Sequence, residues 1–412
     1  MTYQAKLNPS RGLVIERFQP ITNYDIQLIR RVLDENDEAV IVVGSAAAKK
    51  DPNRPEKDLR DRIMEGGERV ELVDHVLRSE GIEPNRYMLI PVENVETNDR
   101  QWAAEVRMLT PRWNTFYTRN STNAVIFGRS AKVGGYDVRM VRDIPVPTTD
   151  YFSCMADILK KSLRSRFARK KLADVPYSAF EIMEGLGTPK VIDAIYNWGK
   201  IEVEHLRNKI PEAALFLGGF QPFTGVYENR TGHIGVARKI LEENENLILA
   251  IGSGQVSETP SDPLTSGQRI EVIRYSLMAN GIDGGRITTI PIKNIGSNFC
   301  YPDKVVSLCP AFNRVYAGNN YTQRAYSQRD IEVVMLERND GAEGSISGTK
   351  VRQTTMDLLL QHRQYDKDRN VSDETVAIVD KALEQMVGEG QREMLRQVGY
   401  YEVMDFLADA RK

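Results

Sequence analysis

His233 closes the stretch FQPFTGVYENRTGH, Phe220 to His233, and is one of only four histidines in 412 residues, with His75, His205 and His362. It follows Thr-Gly and opens the helical pattern IGVARKIL. Its imidazole would therefore stand near a helix N-terminus, where unpaired backbone N–H groups favour anions. A second group lies in SISGTKVRQTTM, Ser345 to Met356. There Ser347, Gly348 and Thr349 precede a helical pattern and Arg352 follows Thr349 by three residues. Hydroxyls, orphan N–H groups and a guanidinium in that arrangement can converge on one phosphate chain. Each group also has a plainer reading: a capping or surface histidine, and an N-capped helix with a surface arginine.

The element that must position His233 is the run before it. ALFLGGFQPF, Ala214 to Phe223, reads as a strand ending in Gly218-Gly219-Phe220-Gln221-Pro222. Glycines there allow the backbone to approach a ligand at the carboxyl edge of a sheet, or simply make a tight strand-to-helix turn.

That run has a counterpart. RGLVIERFQP, Arg11 to Pro20, carries the same Phe-Gln-Pro after an apolar run, with Phe18 and Phe220 202 positions apart. IVVGS ending at Ser45 recurs as LAIGS ending at Ser253, 208 apart, so the second copy carries six extra residues between these motifs and VYENR falls near the site. GGERVELVDHVL matches SGQRIEVIRYSL, and IPVENVETN matches IPIKNIGSN, both 200 apart; FYTRN matches VYAGN, 199 apart. Five matches in one order imply two homologous domains. Within each, short apolar runs alternate with amphipathic stretches, the βαβ pattern of a parallel sheet with helical crossovers. The expectation is an α/β chain of two tandem Rossmann-like doubly wound domains, residues 1–209 and 210–412, each followed by C-terminal helices. The largely helical pattern of residues 170–213 has no low-complexity linker, so the halves should pack together, with the boundary near 208–212.

Bulk properties exclude little. Apolar residues at 41% and charged residues at 27% suit a folded soluble chain, and a net charge of −2 gives no basic excess for nucleic acid. The basic run RSRFARKK, Arg164 to Lys171, reads as a solvated helix face. No segment reaches the roughly 20 apolar residues of a membrane span and no apolar leader opens the chain, so a cytoplasmic protein is expected. Cys154, Cys300 and Cys309 form no metal or disulfide pattern and read as reduced bystanders.

GGFQPF, the Gly-His pair, the strand ending in Gly-Ser, PLTSGQRIEVI, VYAGNN and ISGTKVR together resemble the nicotinamide mononucleotide adenylyltransferases, above all their archaeal-type members. The resemblance runs from Ala214 to about Gly390. It places the chain in the nucleotidylyltransferase superfamily, whose signatures are (H/T)xGH after the first strand and an ISxTxxR-like motif. It implies transfer of the adenylyl group of ATP to nicotinamide mononucleotide by the C-terminal domain, giving NAD and pyrophosphate, without a covalent enzyme intermediate. His233 would contact the phosphates; Ser347, Thr349 and Arg352 would hold the β and γ groups, with Mg2+ bridging oxygens. Gly218, Gly219, Phe220, Gln221, Thr224, Gly232 and Gly348 would line the ATP site. Phe299, Tyr301 and Asn319 would serve the acceptor, one of the two aromatics stacking on the nicotinamide. The superfamily's habit of self-association implies a homo-oligomer, or a fused copy standing in a neighbour's place.

Departures from the family pattern mark the site. The arginine usual before Phe-Gln-Pro is Gly219, and the first histidine of the motif is replaced by Thr224 ahead of the extra residues or by Arg230 after them. In the first copy the motif positions are Thr22, Asn23, Tyr24 and Asp25, with no Gly-His. The best match there to SGTKVR is CMADIL, with Cys154, Ala156 and Leu159, so the first domain is expected to be inactive, with Asp25 repelling a triphosphate. A residual nucleotide or pyridine site around Arg17, Trp102 and GRSAK, Gly128 to Lys132, stays open. Two other readings of the whole chain compete with NAD synthesis: nucleotidyl transfer to another phosphorylated acceptor, and a pseudoenzyme that binds nucleotide or is structural.

Overall fold

The computed structural model describes residues 6–18, 21–44, 46, 65–93, 99–145, 213–225, 232–297, 300–318, 320–327, 329, 331–336, 347–366, 370–384 and 386–409. The expected boundary at 208–212, the run 164–171, and Cys154, Ala156 and Leu159 lie outside them.

The first half alternates β1 (Arg11–Glu16), α1 (Asn23–Glu35), β2 (Glu38–Gly44), α2 (Gly66–Ser79), β3 (Tyr87–Val92), α3 (Asp99–Leu109), β4 (Thr115–Thr118), α4 (Ser121–Gly134) and β5 (Asp137–Met140). The second repeats the alternation: β6 (Ala213–Gly218), α5 (Gly232–Glu243), β7 (Asn246–Ile251), α6 (Ser266–Ala279), β8 (Ile287–Pro291), α7 (Tyr301–Leu308), β9 (Arg314–Ala317), α8 (Asn320–Ser327) and β10 (Glu332–Met335). Four further helices close the chain: α9 (Gly348–His362), α10 (Asp373–Leu383), α11 (Glu389–Gln397) and α12 (Tyr400–Asp409).

Each half folds one parallel sheet, ordered β3-β2-β1-β4-β5 and β8-β7-β6-β9-β10, so corresponding strands hold corresponding places. The apolar runs become the buried central strands. Val40 to Val43 and Leu249 to Ile251 are fully buried, as strands covered by helices on both faces must be. Smaller pins recur too. Asn36 Nδ2 donates to Tyr117 Oη, which donates to Glu35, and Asn244, Tyr316 and Glu243 repeat the same relay. The expected α/β class and doubly wound parallel sheets are thus present in both halves.

The halves pack through α2, α3 and β3 on one side and α6, α7 and β8 on the other. Their contacts recur with the partners exchanged, as across an isologous interface. Glu71 accepts from the Ala311 N–H at 3.2 Å, and Glu271 accepts from the Arg112 N–H at 2.7 Å. A Cβ on Gly67 would fall 1.8 Å from the Cys309 carbonyl oxygen, and one on Gly267 1.8 Å from that of Thr110. An ion chain, buried except at Arg112, crosses the contact: Glu271 pairs with Arg112 at 3.1 Å and Arg11 at 3.2 Å, and Arg11 pairs with Glu38 at 2.7 Å. Burial alone would make these charges costly; each carboxylate is matched by more than one guanidinium. Cys309 is buried, which raises its thiol pKa, and Cys300 is exposed; both are free thiols. Among the described residues no helix is long and apolar enough to cross a membrane.

Candidate active site

The site is assembled where the ends of β6 and β7 meet α5 and α9. β6 stops at Gly218, and Phe220 turns the chain with a left-handed backbone, φ +51°. Gln221 then locks the turn: its amide donates to the Leu264 carbonyl and accepts from the Leu264 N–H, both at 3.0 Å. The PLTSGQR segment is thereby tied to the FQP turn.

The residues after Phe223 settle how the long loop is carried. Gly225 and Gly232 are in contact: a Cβ on Gly232 would lie 2.8 Å from the Gly225 Cα. The Ile234 N–H also donates to the Thr224 carbonyl at 3.1 Å. The chain therefore leaves at Gly225 and returns at Gly232, and residues 226–231, which include Arg230, lie outside the described residues. Without that excursion the sequence reads Thr224-Gly225-Gly232-His233, a TxGH motif. Thr224, one of the two candidates for its first position, touches the histidine.

His233 Nδ1 accepts the Thr224 N–H at 3.0 Å and lies 2.9 Å from Thr224 Oγ1. A backbone N–H can only donate, so Nδ1 carries its lone pair and the proton of the neutral ring sits on Nε2. The imidazole is stacked on Phe223, 5.1 Å between centroids, and meets the edge of Phe220 at 5.3 Å. Its orientation and tautomer are both fixed.

α9 arrives with its N-terminus against the same turn. Ser347 is its N-cap, accepting the Lys350 N–H at 3.2 Å. A Cβ on Gly348 would lie 2.6 Å from the Gln221 carbonyl oxygen, so only glycine permits this approach. Arg352 donates to the Gln221 carbonyl and, at 3.1 Å, to Thr349 Oγ1. Burial lowers the pKa of this guanidinium from its ordinary value, the nearby Tyr400 and Asp262 opposing the effect. The capped helix of the plainer reading is present, and it brings Ser347, Gly348, Thr349 and Arg352 to the His233 loop.

Tyr301 opens α7, and a Cβ on Gly252 would stand 3.5 Å from its hydroxyl and 3.8 Å from the Gly218 carbonyl. It thus borders the carboxyl edge of β6 and β7. Phe299 and Asn319 lie outside the described residues. Trp102, at the position in α3 that Tyr301 holds in α7, packs edge-on against Phe127 at 5.4 Å, so its ring belongs to the core. GRSAK falls inside α4.

Two sets of residues escaped the sequence reading. Arg269 is fully buried, and its guanidinium donates to the carbonyls of Gly219 at 3.1 Å, Gly252 at 2.8 Å and Ser253 at 3.1 Å, stitching the sheet edge under the site. Burial lowers its pKa to about 10. Arg69 does the same in the first half, toward Arg17 and Gly44, so an arginine repeated in GGERVELV and SGQRIEVI was the available signal. The C-terminal helices also hold the loop. The Gly225 N–H donates to Met386 at 3.1 Å, and Gln391 donates to the Phe223 carbonyl at 3.4 Å.

The first half builds the same corner with different residues. Thr22 N–H and Oγ1 both donate to the Asp25 carboxylate at 2.8 Å, as Thr224 does to His233. Glu16 stands where β6 has Gly218, and Arg119 where the second half has Gly318. The Arg119 guanidinium pairs with Asp25 and, at 3.0 Å, with Glu16. Asp25, expected to repel a triphosphate, is instead paired with Arg119 in an ion triad whose arginine and aspartate are buried and whose Glu16 is partly exposed. Burial, with Asp25 adding to it and Arg119 opposing, pushes the Glu16 carboxyl up to about 7.

Among the described residues no cluster of three or more His, Cys, Asp or Glu side chains could hold a metal ion. No family model matches the chain. It is 36% identical over 146 residues to the nicotinamide-nucleotide adenylyltransferase of Pyrobaculum neutrophilum, 35% of this chain and 76% of the relative. It is 34% identical over 139 residues to that of Picrophilus torridus, 34% of this chain and 76% of the relative. Among solved structures, a bifunctional NMN adenylyltransferase/ADP ribose pyrophosphatase from Francisella tularensis, complexed with AMP and a manganese ion, aligns at 16% identity and a TM-score of 0.30, over 46% of this chain and 53% of that one. With more than two thirds of the first two relatives' length matched above 30% identity, this chain belongs to the nicotinamide-nucleotide adenylyltransferases, a family of nucleotidyltransferases.

Proposed function

We propose that the C-terminal half transfers the adenylyl group of ATP to nicotinamide mononucleotide. An oxygen of the mononucleotide 5′-phosphate attacks the α-phosphorus, the bond to the β-phosphate oxygen breaks, and pyrophosphate leaves as NAD forms. The observation that carries this is the fixed His233, whose Nε2–H is a donor of set tautomer, in a corner that also receives Arg352 and the N-terminus of α9. Such a corner acts by orienting phosphates and offsetting the charge that grows on the leaving group, as phosphoryl-transfer sites do.

His233 would donate to phosphate oxygens through Nε2. Ser347, Thr349, Arg352 and the free N–H groups of α9 would bind the β and γ groups, and Gly218, Gly219 and Gly348 would leave room for the chain of phosphates. Magnesium would enter with ATP, as counter-ion of its phosphates. Tyr301 is the described aromatic suited to the nicotinamide. The N-terminal half would bind no nucleotide at its corresponding corner, because the Arg119 triad fills it.

The test is NAD formation and pyrophosphate release from ATP, magnesium and nicotinamide mononucleotide, with His233→Ala and Arg352→Ala alongside. Loss of about 10²–10³ in kcat in each variant is expected for removed transition-state donors. Pyrophosphate released only with a different phosphorylated acceptor would reassign the substrate; nucleotide binding without product would make the chain a pseudoenzyme.

A further inference from the structure

Four side chains at the centre of the contact between the halves break its internal symmetry. Glu93 and Lys293 hold the same position in IPVENVETN and IPIKNIGSN. Glu105 of α3 corresponds to Lys304 of α7, with buried Val106 and Val305, and Leu109 and Leu308, fixing the alignment of the two helices. The N-terminal half therefore brings two carboxylates to the contact and the C-terminal half two ammonium groups. They pair crosswise: Lys304 Nζ lies 2.8 Å from Glu93, and Lys293 pairs with Glu105 and lies 3.9 Å from Glu93. The four side chains are only 13–21% exposed.

We propose that this quartet is a selectivity device, which fits the C-terminal half to an acidic copy of its own fold and rejects a second copy of itself. Part of the contact does not discriminate, although the ion chain of Glu271 with Arg11 and Arg112 is one-sided too, since the second half has Ala213 and Ala311 at those positions. Gly67 with Cys309 and Gly267 with Thr110, or Glu71 and Glu271 with the opposite backbone, are the same contact made twice. Any two copies of either half could make them. In the same geometry two C-terminal halves would gather four ammonium groups, and two N-terminal halves four carboxylates, in a place partly withdrawn from water. Repulsion between like charges is strongest there, and specificity arises as much from excluding the wrong partner as from holding the right one. The two halves of one chain are the only combination of the two surfaces that pairs every charge.

The test uses the full-length chain and four proteins: the natural sequence, E93K/E105K, K293E/K304E, and the variant carrying all four inversions. Each double variant turns the quartet into four like charges and should lower the melting temperature by about 5 °C or more, on the scale expected for losing and inverting pairs in units of this size. The fourfold variant restores opposite charges with the halves exchanged, and should recover more than half of the larger loss. Should the double variants not fold, a folded fourfold variant supports the proposal equally. Double variants that melt with the natural protein, or a fourfold variant that recovers less than half or does not fold, would overturn it.

Discussion

Gly225 and Gly232 touch, although six residues separate them in the chain, because the loop between them leaves and rejoins the fold at one point. The hydrogen bond from Ile234 to Thr224 closes that point and holds the start of α5, which carries His233, against the turn. Removing residues 226–231 and joining Gly225 to Gly232 should leave the melting temperature within a few degrees. NAD synthesis should fall by no more than about tenfold, since consecutive Cα atoms need only the ~3.8 Å of a peptide link. A collapse of activity without a change in melting would instead assign Arg230 a part in phosphate binding.

Thr224 positions His233 through two groups of different kind, and they can be separated. Thr224→Val keeps the N–H that fixes the tautomer and removes the hydroxyl; Thr224→Ser keeps both. Loss of one hydrogen bond of about 1 kcal/mol should cost the valine variant roughly fivefold in kcat, with serine close to the natural enzyme. The imidazole ¹⁵N spectrum should show a lone pair on Nδ1 of His233 in all three. A protonated Nδ1 in the natural protein would sink this account of the donor.

The ion triad gives the N-terminal half a pH signature with a definite sign. Glu16 has a folded pKa of about 7, above the carboxylate's ordinary value, so it takes up a proton on folding at intermediate pH. Its contribution to stability is fully present below the unfolded value and is lost as pH rises through about 7. Glu16→Gln removes that dependence while keeping an oxygen for Arg119. The variant should therefore gain stability relative to the natural protein on going from pH 5 to pH 8, followed by thermal melting at each pH. Arg119→Ala should act oppositely and lose most at pH 8, where Glu16 and Asp25 would be left charged and unpaired. Calorimetric titration with ATP should give one site per natural chain.

How much of this was legible follows from what burial leaves visible in a sequence. The two sheets were readable because central parallel strands are apolar on both faces, and the runs around Val40 and Leu249 therefore stand out. His233 and Arg352 stood out because few residue types can meet a phosphate, and the fold brings both to the turn after β6. Arg119 was in plain view, in FYTRN against VYAGN, but an arginine replacing glycine gains meaning only beside Glu16 and Asp25, which the fold brings to it from β1 and α1. The part of the tail was hidden for a different reason. Met386 holds Gly225 through its backbone carbonyl, and a backbone acceptor leaves no mark on composition.

The reciprocal glycines offer the last prediction. Gly67 and Gly267 open corresponding helices, and each brings its Cα against a carbonyl of the other half, Cys309 and Thr110. A methyl group 1.8 Å from a carbonyl oxygen cannot be absorbed by a side-chain rotation, because the obstacle is backbone. Gly67→Ala and Gly267→Ala should each push the halves apart and lower the melting temperature by several degrees, against the slight gain in helix propensity that alanine brings. Because both strain one rigid contact, their effects should not add: once the first has opened the interface, the second should cost less than it does alone. Strict additivity of the two losses in melting experiments would show that the halves yield independently at the two points, and that the contact is not a single rigid unit.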